Sequence, residues 1–242
     1  MISGSLPHDI CKKTRRLEIL YLFVNQLGGQ IPSSISGCRS LRQLSLTYNN
    51  ISGVILAEIG NMSALQSLHL GSNNLTELEY LNLEQNQFHG QIPSSISHCS
   101  EMDTLDLFGN KFAGNVLDNI GNLSMLRNLV IVGNNFTGII PPSIGNMSRL
   151  LIFQLGVNNF SGKIPPELGK LPILEGVFIH TNQFKGEIPL ELGRFSSIGR
   201  LYMNYNKLTG EIPPSIFNFS TLQRLGLSRN PLSGKVPSFG ES

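Results

Sequence analysis

Aromatic and cationic side chains gather in the last third of the chain. Aromatic rings and guanidinium groups anchor protein and peptide partners, because they bury large areas, stack on one another and bind carboxylates through paired hydrogen bonds. The sequence therefore predicts recognition chemistry in this region, with a solvated surface that carries scattered aromatics as the alternative. The eight candidate ligand-binding residues are Phe178, His180, Arg200, Tyr202, Asn204, Tyr205, Arg224 and Arg229.

The residue types that carry out catalysis are present but dispersed. Glu101, Asp103 and Asp106 form an acidic surface cluster without catalytic partners that match a known motif. Nucleophile-elbow, zinc, phosphate-loop and kinase motifs are missing from the printed sequence. We therefore expect no enzyme activity, no cofactor and no metal site. The five histidines, far apart in the chain, are His8, His69, His89, His98 and His180.

A repeat positions all these residues. Its unit reads L-x-x-L-x-L-x-x-N-x-(L/F)-x-G-x-I-P, and L-x-L alternates with the period of a strand whose leucines face inward. The Asn turns the chain, and its amide can satisfy backbone groups that would otherwise be buried unpaired. We expect stacked coils that share a parallel sheet, with the candidate residues on its outward positions. The repeat Asn recurs at Asn25, Asn49, Asn73, Asn86, Asn110, Asn134, Asn158, Asn182, Asn206 and Asn230.

An apolar residue follows each repeat Asn by two positions. Five of these in succession are Phe, which predicts a stack of rings along the solenoid axis. The Ile-Pro pair ends the extended stretch that follows, because Pro has no N–H to donate. The rest of each unit should form one helical or 3₁₀ turn on the convex side. The five phenylalanines are Phe88, Phe112, Phe136, Phe160 and Phe184.

The L-x-G-x-I-P signature resembles the plant-specific class of leucine-rich repeats over essentially the whole chain. That class builds the ectodomains of receptor-like kinases and receptor-like proteins, and polygalacturonase-inhibiting proteins. The resemblance implies an α/β repeat solenoid, a right-handed superhelix with a concave parallel sheet and a 3₁₀ or irregular convex side. It also implies a secreted peptide or protein ligand, an extended peptide along the concave face, and a leucine-rich-repeat co-receptor. A second, weaker candidate group on that face is Tyr21, Phe23 and Tyr48.

The ends of the chain depart from that family, whose complete ectodomains carry cysteine-paired caps. Gly4 and Leu6-Pro7 align with Gly29 and Ile31-Pro32, so the chain starts within a repeat. We expect an internal piece of a longer extracellular or plasma-membrane protein, or a truncated gene product. The first residues do not form a signal peptide, and no apolar run is long enough to span a bilayer. A kinase would belong to another part of that protein.

One repeat is short. Every step between repeat asparagines is 24 residues except that from Asn73 to Asn86, which is 13. The five residues that lead from Asn73 to Leu78 span at most about 17 Å, too little to return over the convex face. Within a single solenoid at 1–242, a shortened repeat at 74–85 therefore predicts a break near Asn74–Glu77. The break would be a shortened strand, a kink, or an imperfect stacking of two blocks, 1–74 and 78–242. An altered splice or a gene-model error is our hypothesis for its origin.

The three cysteines lack metal-ligand spacing. Cys38 and Cys99 stand where other repeats have Met, Leu or Phe, so we expect both to be small buried hydrophobic residues. Cys11 falls in a less regular repeat, and its role stays open.

Eight Asn residues begin the N-x-S/T glycosylation signal. Their density favours a secretory protein, although several repeat positions match the signal by construction. Glycans on the convex side would leave the concave face open. The candidates are Asn50, Asn61, Asn74, Asn122, Asn135, Asn146, Asn159 and Asn218.

Composition narrows the remaining functions. A formal charge of +2 and 14% charged residues provide no strong field to recruit nucleic acid or an anionic membrane. Ligand recognition by a receptor ectodomain in signalling or defence is our first hypothesis, and a secreted enzyme inhibitor is the alternative. Ice binding is a remote third possibility, because it needs a regular hydroxyl array. The residue between Gly and Ile-Pro is irregular and often charged, as at Lys163, Glu187 and Glu211.

Overall fold

The computed structural model describes residues 1–52, 62, 64, 65, 67–69, 73, 80–85, 88–92, 96, 97, 99, 102–115 and 120–236. Within them, successive repeats form stacked coils, each with an inner strand, a turn at the repeat Asn and, in most, a short outer strand. The predicted solenoid is confirmed. The break expected near Asn74–Glu77 lies outside the described residues, so the division into two blocks stays a prediction.

The inner strands face the concave side and pair in parallel with the strands 24 residues away. The alternating pattern of the sequence explains these strands. Leucines at the centre of a strand, such as Leu105 and Leu129, are fully buried, while the residues on either side of each leucine face outward. With all described strands numbered β1 to β19 in chain order, they are β2 (Ile19–Tyr21), β4 (Gln43–Ser45), β6 (Ser67–His69), β7 (Tyr80–Asn82), β9 (Thr104–Asp106), β11 (Asn128–Val130), β13 (Ile152–Gln154), β15 (Gly176–Phe178), β17 (Arg200–Tyr202) and β19 (Arg224–Gly226). One sheet has the order β2-β4-β6, and a second runs from β7 through the odd-numbered strands to β19.

A second set of strands, which was not predicted from the sequence, follows the repeat Asn. These outer strands also pair in parallel and form the three-stranded sheets β1-β3-β5, β8-β10-β12 and β14-β16-β18. Each is too short for a clear alternating pattern in the sequence. They are β1 (Ser3–Ser5), β3 (Gln26–Gly29), β5 (Asn50–Ile51), β8 (His89–Gly90), β10 (Lys111–Gly114), β12 (Asn135–Phe136), β14 (Ser161–Gly162), β16 (Gln183–Gly186) and β18 (Lys207–Leu208).

Within the described residues, six coils carry a 3₁₀ turn on the convex side, as predicted. In five of them the Pro of the Ile-Pro motif comes directly before the turn, with a φ of −73° at Pro32, because its ring holds the extended backbone that precedes the turn. The turns are Ser33–Gly37, Ile120–Asn122, Pro142–Asn146, Pro166–Lys170, Leu190–Arg194 and Pro214–Asn218. Among the described residues, no helix has the length and apolar character needed to cross a membrane.

The predicted phenylalanine stack is present in the core. Neighbouring rings from Phe88 to Phe184 lie 5.9 to 6.4 Å apart between centroids, with interplanar angles of 5° to 20°. All five rings are buried. Each ring thus packs on the same ring of the next coil and extends the core along the solenoid.

The repeat asparagines join each coil to its neighbour. Asn134 Oδ1 accepts a hydrogen bond from the Phe112 N–H of the preceding coil at 3.0 Å. Its Nδ2 donates to Leu107 O of that coil at 2.8 Å and to Ile131 O of its own coil at 3.2 Å. The same bonds recur from Asn110 to Asn230. The sequence predicted an amide that serves its own turn, whereas the structure shows one that also bridges two coils.

The cysteine prediction was wrong for Cys38. Cys11 and Cys38 form a disulfide between the first two coils, and both are buried. Cys38 therefore fills the expected core position but is also cross-linked. Cys99 is a buried thiol, as predicted, and burial raises its pKa to about 11.

We predict that Asn134→Ala lowers the free energy of unfolding by about 2 to 4 kcal/mol, because the buried Phe112 N–H and two carbonyls lose their partner. Urea denaturation measures the loss. Asn135→Ala, one residue away on an exposed side chain, is the matched control and should cost less than about 0.5 kcal/mol. Equal losses in the two variants would contradict the bridging role.

We predict that Cys11→Ala/Cys38→Ala destabilises the first two coils by about 3 kcal/mol, the order expected for a loop of this length. Hydrogen exchange of amides in residues 1–50, with and without a reductant, measures it. The reductant should lower protection in the wild type and leave the variant unchanged. Unchanged protection of the reduced wild type would show that the disulfide carries no local stability.

Candidate functional site

Three adjacent inner strands carry four of the eight predicted ligand-binding residues, and the other four lie in the turns that follow these strands. The register places Gly176, Arg200 and Arg224 in one row, and Phe178, Tyr202 and Gly226 in the next. Parallel strands lie about 4.8 Å apart, so residues 24 apart in the chain become neighbours on the concave face.

Phe178, Tyr202 and Arg200 form a contact cluster, which we call the aromatic cluster. The Phe178 and Tyr202 rings stack with centroids 5.4 Å apart at 17°. Arg200 places its guanidinium carbon 5.4 Å from the Phe178 centroid, within the distance of a cation–π contact. The three side chains thus form a preorganised surface that combines a flat apolar area with a positive charge.

Two glycines leave the space that the rings of the aromatic cluster occupy. These glycines were not predicted as site residues from the sequence. A Cβ at Gly176 would lie 2.7 Å from Phe178 Cε2, and one at Gly226 would lie 2.8 Å from Tyr202 Cδ1. Both rings therefore lie over backbone that only glycine leaves uncovered. Glycine at an outward-facing strand position, where a side chain is otherwise the rule, is the signal that marks such a close approach.

Arg224 extends the positive charge beside Arg200. Both line a shallow cleft of about 480 Å³ together with Glu175 and Gln223. Among the described residues, the ion pairs are Arg42–Glu18 and Arg127–Asp103, so no carboxylate pairs with Arg200 or Arg224. Two neighbouring guanidinium groups of this kind can bind an anionic group of a ligand by donating hydrogen bonds to it.

His180 and Asn204 do not join in one contact. His180 leans over the preceding coil, where a Cβ at Gly156 would lie 2.6 Å from its Nε2. Asn204 leans toward Gly226, whose Cβ would lie 2.9 Å from the Asn204 Oδ1. Burial lowers the pKa of His180, which favours the neutral imidazole as a hydrogen-bonding group.

Tyr205 and Arg229 owe their placement to a left-handed backbone. Their φ values are 56° and 59°, and both side chains are exposed. The residue before the repeat Asn has this conformation in every coil where the structure describes it. The full set is Val24, Tyr48, Gln85, Gly109, Gly133, Val157, Thr181, Tyr205 and Arg229.

The second candidate group, Tyr21, Phe23 and Tyr48 near the N-terminal end, is more exposed than the rings of the aromatic cluster. Tyr21 and Phe23 meet edge to face at 6.0 Å, and the Tyr21 hydroxyl donates to Gln43 Oε1. Tyr21, Phe23 and Tyr48 are each more than half exposed. Within the described residues they have no cation stacked on them, so the aromatic cluster offers the more complete recognition chemistry.

The acidic residues serve local structure. Asp103 lies 3.8 Å from Arg127, and Asp106 Oδ1 accepts a hydrogen bond from the Phe108 N–H. Burial and, less strongly, Glu84 raise the pKa of Asp106, against the lowering effect of that hydrogen bond. In the described part of the chain, no group of three or more His, Cys, Asp or Glu is placed to hold a metal ion. Glu101 lies outside that part.

Six of the eight glycosylation candidates lie among the described residues, and all six are exposed. Asn122, Asn146 and Asn218 end 3₁₀ turns on the convex side, and Asn50 and Asn135 begin outer strands. None lies on an inner strand. Asn159 is the sixth, and Asn61 and Asn74 fall outside the described residues, so the glycosylation prediction is unchanged.

Two leucine-rich-repeat family models match the chain. One, described as leucine rich repeat, covers residues 15–75. The other, also a leucine rich repeat, covers residues 77–99, 125–147 and 197–219. No curated protein sequence matches the chain.

Solved structures of plant receptor ectodomains share the fold. The Arabidopsis receptor kinase HAESA, solved in complex with the peptide hormone IDA and the co-receptor SERK1, is 31% identical with a TM-score of 0.67, over 97% of this chain and 41% of its own. The Arabidopsis thaliana receptor kinase GASSHO1/SCHENGEN3, in complex with CASPARIAN STRIP INTEGRITY FACTOR 2, is 33% identical with a TM-score of 0.61, over 97% and 35%. The chain thus spans about two fifths of the length of these structures.

A plant ice-binding protein shares the fold at 23% identity and a TM-score of 0.57, over 98% of this chain and 71% of its own. At that identity the likeness concerns the fold alone.

We predict that Val157→Gly raises the free energy of unfolding by about 0.5 to 1 kcal/mol, because it removes the strain of a β-branched residue at a φ of 53°. Gly133→Ala, at the same position one coil earlier, should have the opposite effect. A Cβ at Gly133 meets nothing closer than 3.6 Å, so this control isolates the backbone. Thermal denaturation measures both, and a destabilised Val157→Gly would contradict the strain.

Proposed function

Since this chain belongs to the leucine-rich-repeat family and has the fold of plant receptor-kinase ectodomains, we propose that it is a non-catalytic extracellular ligand-recognition region. Its parent protein is a plant leucine-rich-repeat receptor-like kinase or receptor-like protein in signalling or defence. The ligand is a secreted peptide or protein, and a leucine-rich-repeat co-receptor joins the complex.

The aromatic cluster is the observation that carries this proposal. A stacked pair of rings with a guanidinium on one face has the composition of an interaction hot spot. The side chains contact one another, so their ordering on binding would cost little conformational entropy. An extended peptide along the concave face would place an apolar side chain on the rings and an acidic group near Arg200 and Arg224.

The setting of the ligand site also supports recognition outside the cell. The Cys11–Cys38 disulfide is of the kind that persists in oxidising compartments. The exposed glycosylation candidates lie away from the inner strands, so glycans there would leave the concave face accessible. The similar receptor HAESA was solved with a peptide hormone and a co-receptor, which matches the class of ligand and partner proposed.

We predict that Phe178→Ala/Tyr202→Ala weakens peptide binding at least about 30-fold, the size of a hot-spot loss. Peptides selected on the wild-type chain from a displayed library of random dodecamers provide the probe, and fluorescence anisotropy gives the Kd. Tyr21→Ala/Phe23→Ala is the matched control, with two aromatics removed from the opposite end of the concave face, and should change the Kd less than about twofold.

The reverse ranking of these two double variants would move the site to the N-terminal coils. Failure to select any peptide would count against the peptide ligand. Inhibition of a polygalacturonase by the wild-type chain, measured as a reduced release of reducing ends, would favour the alternative of a secreted enzyme inhibitor.

A further inference from the structure

Positive charge is concentrated in the first two coils, far from the aromatic cluster. Residues 8–42 contain six Lys or Arg and two Asp or Glu, a formal net of +4, whereas the whole chain has +2. One of those acids, Glu18, lies 3.8 Å from Arg42. In the described part of the chain, no ion pair involves the other five cations, all of them exposed. They are Lys12, Lys13, Arg15, Arg16 and Arg39.

These cations surround a cleft on the convex side. The cleft has a volume of about 730 Å³ and lies between residues 8–15 of the first coil and residues 34–39 of the second, with Lys12, Arg15 and Arg39 among its lining. A second cleft of about 580 Å³ is lined by residues 12–17. Lys12 and Arg15 line both, so the two clefts lie side by side, and we call them together the basic groove.

The disulfide makes the basic groove rigid. Cys11 lies in its lining and is bonded to the buried Cys38 of the next coil. Short hydrogen bonds fix the turn that carries the cations, from Lys12 N to Asp9 O at 2.9 Å and from Thr14 Oγ1 to Ile10 O at 2.7 Å. The backbone that presents Lys12 and Arg15 is therefore held in place before any ligand arrives, which lowers the entropic cost of binding.

The chemistry of the groove selects among anionic ligands. Protein interfaces bury aromatic and apolar anchors, and single-stranded nucleic acids stack on aromatic rings. The described lining of this groove contains no Phe, Tyr or Trp, and apart from Leu17 and the disulfide it consists of Lys, Arg, His, Asp, Ser, Thr and Gly. Anionic phospholipids concentrate in the cytoplasmic leaflet and present a flat surface, whereas the groove is concave. A linear chain of carboxylates fits both the shape and the charge.

We propose that the basic groove binds an acidic polysaccharide, a linear chain of uronate units whose carboxylates meet Lys12, Arg15 and Arg39. This site is separate from the aromatic cluster and does not depend on the proposed peptide ligand. It would hold the protein to an extracellular polyanion while the concave face stays free.

The test uses the full chain with its disulfide intact and fluorescently labelled polygalacturonic acid oligomers. Lys12→Gln/Arg15→Gln/Arg39→Gln should weaken binding at least about tenfold and flatten the dependence of log Kd on log salt, because fewer counterions are released. Lys163→Gln/Lys185→Gln/Lys207→Gln, which removes three exposed lysines elsewhere, is matched in net charge and should change the Kd less than about twofold. Arg15→Lys/Arg39→Lys retains the charge and should retain most of the affinity.

Several outcomes would overturn the proposal. Equal losses in the two triple variants would show a non-specific effect of net charge. Equal binding of methyl-esterified polygalacturonan would remove the role of the carboxylates. Tighter binding of poly-L-glutamate or of phosphatidylserine vesicles would assign the groove to a peptide or a membrane instead. Circular dichroism confirms folding of each variant, and the Phe178→Ala/Tyr202→Ala variant should bind the oligomer like the wild type.

Discussion

One asparagine side chain per coil satisfies backbone groups that water cannot reach. Where a coil leaves its inner strand, an N–H of the preceding coil and carbonyls of both coils are buried. Asn134 meets Phe112, Leu107 and Ile131 at this point, and the same bonds recur along the solenoid. Because each amide spans two coils, the turn of one coil determines where the next must lie. The strand register and the phenylalanine stack repeat from coil to coil in step with these bonds.

The concave face inherits its order from the same constraint. Residues that are 24 apart in the chain lie on neighbouring strands about 4.8 Å apart. Phe178 and Tyr202, which belong to successive coils, therefore stack on one another. The strand register is the same from β15 to β17 and from β17 to β19, so recognition on this part of the face depends on which side chains are present and which are absent. Glycines at Gly176 and Gly226 orient the rings as much as Arg200 does. At the opposite end, a covalent bond between Cys11 and Cys38 adds a rigidity that the amide bridges alone do not provide.

The repeat could be predicted from the sequence because its structural residues keep one type at one position. The inner strands, the phenylalanine stack and the 3₁₀ turns were all predicted from that constancy. The disulfide could not be predicted, because the first coil is irregular. Ten residues lead from Pro7 to Leu17 whereas nine lead from Pro32 to Leu41, so the position of Cys11 in the repeat is not clear from the alignment. The eight candidate residues stay a prediction as a ligand site, and the structure gathers only some of them. His180 and Asn204 lean apart because Gly156 and Gly226 leave room on opposite sides, a packing effect that no motif records.

In the nine coils where the structure describes it, the left-handed position before the repeat Asn is occupied by Val, Tyr, Gln, Gly, Thr or Arg, with φ between 52° and 69°. Side chains that differ this much in size and charge share one backbone geometry, so the coil imposes the conformation and the residue tolerates it. The left-handed backbone costs a residue with a Cβ on the order of 1–2 kcal/mol. During evolution, Tyr205 or Arg229 can therefore be replaced by other residues. Such replacements change the side chains at the edge of the concave face without changing the shape of the coils.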